Sequence, residues 1–184
     1  MKEIKKGYLR VTEILNAFSG YQDIPINILE HAKQRGTYVH LQCDAIIKNI
    51  EVSNLHPEWD GYVDSFQKWM PKNFISTPER FYCNELKITG ECDGIYQEHD
   101  GSNVLVDFKT SAKEGATWKL QGSAYAYLAR KAGHNISRIE FVKLNKIGSL
   151  PIVYRYDEDF EGFLVCLVKY IFDKFHMMDL LKNE

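Results

Sequence analysis

The stretch "NVLVDFKTS", residues 103–111, decides how the rest of the chain reads. Its β-branched and aromatic residues make a strand. Strand alternation then puts Leu105, Asp107 and Lys109 on one face and Val104, Val106 and Phe108 on the other. Two charges on one face of an otherwise apolar strand give up hydration, and that needs a reason. For an isolated D-x-K the ordinary reason is a salt bridge at a strand end, so the neighbours decide. Upstream, "LKITGECDGIYQE" (86–98) is a second strand, joined to the first through the hairpin turn "HDGSN" (99–103). Downstream, "TWKLQGSAYAYLARKAG" (117–133) is a helix ended by Gly133, and "RIEFVKLN" (138–145) and "PIVYRYD" (151–157) are further strands. The helix permits a parallel crossover and the hairpin requires an antiparallel pair, so the class is α/β with a mixed sheet.

Farther out, "FISTPERFYCN" (74–84) reads as one more strand, and the residues before it are mostly helical. Thr12 can cap a short helix through Phe18. Another helix opens at Pro25, with Gly36 as a break ahead of Val39, Cys43, Ile46 and Ile47, and "HPEWDGYVDSFQKWM" (56–70) follows. No repeat or linker interrupts the 184 residues, which suit a single domain. Its parts are a helical N-terminal part (1–73), a sheet core with an inserted helix (74–157) and a C-terminal amphipathic helix (158–184).

A net charge of -2 gives no overall attraction for a polyanion, so any nucleic-acid contact must come from a local basic lining. Cys43, Cys83, Cys92 and Cys166 form no C-x-x-C pair and no zinc-ligand spacing, so four reduced thiols and a cytoplasmic location are expected. No apolar run reaches the length of a membrane span, so no membrane partner is expected.

Asp107 and Lys109 have company. The hairpin sets Asp93 of "GECDGIY" beside Asp107, and two carboxylates that close repel unless a cation lies between them. The bland alternative for Asp93 is a turn residue between Gly90 and Gly94. In "QRGTYVHLQCD", His40 lies one helical turn from both Gly36 and Asp44. In "KLQGSAYAYL", Gln121 and Tyr125 share a face, with Trp118 a turn earlier, which by itself is an ordinary packed stripe.

Taken in order, "RGTYVH" with His40, "GECD" with Asp93, "DFK" with Asp107 and Lys109, and "QGSAY" with Gln121 and Tyr125 resemble the RecB-like branch of the PD-(D/E)XK nuclease superfamily. The opening "VTEILNAF" is similar to that of phage and mitochondrial-type exonucleases of this branch, and the resemblance spans roughly residues 8–128. It implies a restriction-endonuclease-like core and metal-dependent hydrolysis of DNA, as an exonuclease on single-stranded or frayed ends. Alternatives are a structure-specific or nicking endonuclease and a catalytically silent nucleic-acid-binding protein. One or two Mg²⁺ or Mn²⁺ ions would be held by His40, Asp93, Asp107 and the Phe108 carbonyl, with Glu79 or Glu85 as a further carboxylate. Lys109 would activate water, and Gln121 and Tyr125 would face the phosphates of the nucleic acid or support Lys109 by hydrogen bonds. Trp118, Tyr38 and Tyr127 are candidates to stack bases, and Lys113, Lys119, Arg130 and Lys131 to line the strand path. No iron–sulfur cluster is expected from such scattered cysteines. Without a P-loop, any motor would be a separate helicase or recombination protein.

Overall fold

The structure is a computed structural model that describes residues 4–20, 24–51, 56–71 and 73–181. The chain opens with a two-residue strand, β1 (Leu9–Arg10), that the sequence does not announce. Helices α1 (Val11–Asn16), α2 (Ile26–Ile47) and α3 (Asp60–Trp69) follow. Strands β2 (Phe74–Ser76), β3 (Glu79–Cys83), β4 (Ile88–Cys92), β5 (Gly94–Gln97) and β6 (Asn103–Lys109) come next. Then come α4 (Trp118–Lys131), β7 (Ile136–Lys143), β8 (Ile152–Tyr156) and α5 (Phe160–Leu181).

The mixed α/β class holds, but the single central sheet does not. A three-stranded sheet runs β1-β4-β3 and a five-stranded sheet runs β2-β5-β6-β7-β8, each with parallel and antiparallel pairs. Two runs expected to be single strands are each divided. The 74–84 run breaks at Thr77–Pro78, and the 86–98 run breaks at Asp93, where the chain leaves one sheet and enters the other. Gly36 does not break α2, which is continuous across it. The roughly 1 kcal/mol that glycine costs inside a helix is outweighed by the burial of Val39 and Cys43 one and two turns later. Thr12 lies inside α1, and the position before that helix is Arg10, without a side-chain cap.

Helices cover both faces of β6 and β7. On one side Leu105, Ile139 and Phe141 pack with Trp118, Tyr125 and Leu128 of α4, backed by α1 and α5. On the other, Val104, Val106, Phe108 and Val142 pack with Val39 and Cys43 of α2 and Tyr62 and Phe66 of α3. The alternation read in the β6 sequence is thus the division between two cores. Phe108, 1% exposed, meets the Phe66 ring at 4.9 Å and Trp69 at 6.0 Å, so the residue between Asp107 and Lys109 rivets β6 to α3. Truncating it would cost about 3–5 kcal/mol.

Candidate active site

The site is built around the break at Asp93. β5 pairs with β6 only from Gly94 opposite Val106 onward, which leaves the N–H of Phe108 without a ladder partner on that edge. The Asp93 side chain takes its place: Oδ2 accepts from Phe108 N–H at 2.6 Å, while the Asp93 N–H donates to the Val106 carbonyl at 3.2 Å. The N–H and C=O of one strand residue point to the same edge, so the Phe108 carbonyl also faces this side.

His40 reaches the same carboxylate from α2. Its neighbour Val39 is buried on the Phe108 side, the ring meets Phe108 edge-on at 6.3 Å, and Nδ1 lies 2.7 Å from Asp93 Oδ1. Partial burial of the ring disfavours its charged form. The Asp93 charge and hydrogen bond, helped by Asp107, outweigh this and raise the His40 pKa above its ordinary value.

Asp107, 4% exposed, lies on the adjoining strand. Burial pushes its pKa up, the Lys109 charge opposes this, and the Asp93 charge adds to it. Lys109 Nζ sits 2.6 Å from Asp107 Oδ2, an ion pair by distance. This ammonium is the close cationic partner of Oδ2. It also donates to Gln121 Oε1 at 3.2 Å, and Gln121 Nε2 donates to the Tyr125 hydroxyl at 3.0 Å. Burial first, then the Asp107 charge, hold the Tyr125 phenol well above its usual range, so it remains a neutral O–H group. Its ring packs closely on β4 because position 90 is glycine: a Cβ there would come within 2.7 Å of the Tyr125 ring.

His40, Asp93, Asp107, Lys109, Gln121 and Tyr125 therefore line one cavity of about 300 Å³. Among the described residues no group of three His, Cys, Asp or Glu side chains is placed so that it could hold a metal ion. Instead, His40 and Asp93 touch, and Asp107 faces the same space.

Several expected residues lie elsewhere. Trp118 is 3% exposed, stacked on Phe141 at 5.5 Å and edge-on to Tyr154, and it cannot present a face to a base. It does serve the site indirectly, since Lys109 Nζ lies 5.8 Å from its ring centroid and 5.0 Å from that of Phe141. Tyr127 stacks on Phe160, and Tyr38 donates to Asp60 beside His56 and Trp59. Three of the four basic candidates face carboxylates: Lys119 with Asp159, Arg130 with Glu158, and Lys131 with Glu85. Lys113 is exposed in the segment after β6. Neither Glu79, which faces His134, nor Glu85 lines the cavity.

The carboxylate that does line it is Glu91, two residues before Asp93, and Arg80 stands with it. These two are direct register partners on β3 and β4, with Arg80 Nη2 2.5 Å from Glu91 Oε2. Arg80 Nε is buried with no hydrogen-bond partner among the described residues. Alternation from Asp93 back to Glu91 was the signal for the acid. Nothing in "PERFY" distinguishes Arg80 from an ordinary strand arginine. All four cysteines are free thiols, with Cys43 in the α2–α3 core, Cys83 and Cys92 in the α4 core and Cys166 on α5.

No protein-family model matches this chain, and no curated protein does either. Its fold has a counterpart among solved structures. The crystal structure of SSO0001 superposes with a TM-score of 0.51 at 14% identity, covering 93% of this chain and 78% of that one. At that identity the likeness is one of fold alone.

Proposed function

We propose that the chain is a divalent-metal-dependent nuclease, with β4, β5, β6 and α4 forming a PD-(D/E)XK-type core. The observation that carries this reading is the convergence of Asp107, Asp93 and His40 on one cavity, where Lys109 Nζ, 2.6 Å from Asp107 Oδ2, is the close cation beside the two carboxylates. Two carboxylates facing one cavity beside an imidazole are the donor types that suit a divalent cation. Asp93, Asp107 and the Phe108 carbonyl would hold Mg²⁺ or Mn²⁺, with His40 favouring Mn²⁺. When bound, such an ion neutralises charge building on the phosphoryl oxygens and makes water more acidic.

The residues themselves do the rest. Phosphodiester hydrolysis forms a bond from a water oxygen to phosphorus, breaks the bond to one ester oxygen, and delivers a proton to the oxygen that leaves. Lys109, fixed between Asp107 and Gln121, holds its ammonium at the cavity wall to orient the attacking water. The neutral Tyr125 hydroxyl keeps the Gln121 amide turned so that Oε1 meets the lysine. At about 300 Å³ the cavity is at the small end of ligand sites, so it takes one phosphodiester while the flanking nucleotides run over the surface. A single strand or a frayed end as substrate remains what the family resemblance implies.

The test is incubation of the full chain with end-labelled single-stranded, duplex and circular DNA in Mn²⁺, Mg²⁺ or EDTA. Metal-dependent trimming of linear DNA with circles intact supports the exonuclease, and nicked circles the endonuclease. Binding without cleavage in any metal overturns the enzymatic reading, and neither binding nor cleavage overturns the nucleic-acid reading altogether.

A further inference from the structure

Helix α5 (Phe160–Leu181) has two apolar faces, and the fold uses one. Inward, Phe163 and Leu167 are buried against the α4 core. Outward, Val165, Val168, Phe172 and Phe175 are each 64–70% exposed. Their spacing of three, four and three residues keeps them in one stripe along the helix, the pattern of a seam that receives another helix. Large apolar residues scattered singly need no explanation, but four in register do.

We propose that this seam is a self-association surface, through which two copies of the chain pair by laying α5 against α5 in antiparallel orientation. The order of sizes along the stripe selects the partner and the direction. It runs Val, Val, Phe, Phe, so an antiparallel copy sets Val165 against Phe175 and Val168 against Phe172 in every layer, small facing large. A parallel copy would set Phe on Phe and Val on Val, overfilling one end and leaving the other slack.

Charge agrees. Lys169 lies 2.9 Å from Asp173 on the same helix beside the seam. Reversing the helix brings the lysine of one copy toward the aspartate of the other. A membrane surface fits less well, because α5 carries three acidic and two basic residues and lacks the cationic face of interfacial helices. The area is of the right order as well. The four side chains would remove on the order of 400 Å² per copy, which with the flanking stems brings the pair to roughly the 1,000 Å² at which specific interfaces begin. A dimer of micromolar strength is the expected result.

Sedimentation equilibrium of the full chain should show a monomer–dimer equilibrium, shifted toward monomer by at least about a hundredfold in Phe172→Glu and in Phe175→Glu. Circular dichroism would confirm that both variants remain folded. Orientation is read by disulfide trapping in a Cys166→Ser background: Val165→Cys mixed with Phe175→Cys should cross-link, and neither alone should. A chain that stays monomeric up to several hundred micromolar, or a dimer indifferent to both glutamates, overturns the proposal. So does self-cross-linking of Val165→Cys, or a monomer that floats with phosphatidylserine vesicles through Phe172.

Discussion

Replacing Lys109 by methionine keeps the length of the side chain and removes its charge. The structure says what is left behind: Asp107, with its side chain 6% exposed, beside Asp93 and without its close cation. Removing one member of a buried ion pair typically costs 3–5 kcal/mol, because the remaining charge is uncompensated. Lys109 itself is 20% exposed, so the lower end, about 3 kcal/mol, is appropriate. For a chain of this size that corresponds to a fall in melting temperature of roughly 6–12 °C in EDTA. Two controls give the number meaning. Asp107→Asn combined with Lys109→Met removes both charges and should recover most of the loss, with a coupling of about 2 kcal/mol in the double-mutant cycle. Added Mn²⁺ should raise the melting temperature of Lys109→Met more than that of the parent, since the ion supplies the missing positive charge, and should do little for the double variant. Differential scanning calorimetry with and without Mn²⁺ measures all of these. Cleavage should be lost in Lys109→Met while metal-dependent DNA binding persists. An unchanged melting temperature in Lys109→Met, or a double variant as unstable as the single one, would refute the electrostatic account of the site, and cutting at the parent's rate would refute the role of the lysine.

Gln121→Ala removes an acceptor from Lys109 without touching the carboxylates, so cleavage should fall by roughly 10–100-fold at unchanged Mn²⁺ affinity by calorimetry, and Gln121→Glu should restore much of it. Trp118→Ala should destabilise the fold by about 3–5 kcal/mol in urea titrations, because the ring is buried against Phe141 and Tyr154. Loss of single-strand affinity without loss of stability would show that the ring acts on DNA instead. The Arg130 hydrogen bonds hold the Glu158 pKa below its ordinary value, so this pair stabilises the fold above the normal carboxylate pKa and the contribution is lost as pH falls through the depressed one. Arg130→Ala should therefore narrow the gap in melting temperature between pH 7 and pH 3 and leave DNA affinity nearly unchanged.

How much of this was legible in the sequence depends on what each signal measures. A period of two places side chains on faces, and it separated Leu105, Asp107 and Lys109 from Val104, Val106 and Phe108 along the division between the two cores. Asp93–Gly94 is a turn signal inside the 86–98 run, but composition does not show that the chain changes sheets there, and the break exists because the Asp93 carboxylate can stand in for a missing ladder partner. A tryptophan one helical turn before Gln121 is equally consistent with a platform and with a core, and only the position of Phe141 decides. Arg80 was hidden because its meaning comes from its register with Glu91 across β3 and β4, a tertiary fact. Local propensity marks Gly36 as a break, while α2 is held by what Val39 and Cys43 bury.

The anchoring of Asp93 also makes the far end of the hairpin expendable. Both backbone groups that position this residue, the Val106 carbonyl and the Phe108 amide, belong to the strand it faces, so its location does not depend on the length of the turn that joins the two strands. That turn is exposed at Asp100 and Gly101, and Gly101 has a φ of 85°. A tetracysteine tag or a fluorophore grafted there would travel with the protein as a reporter, and the Asp93–Phe108 contact would keep its register with the label in place.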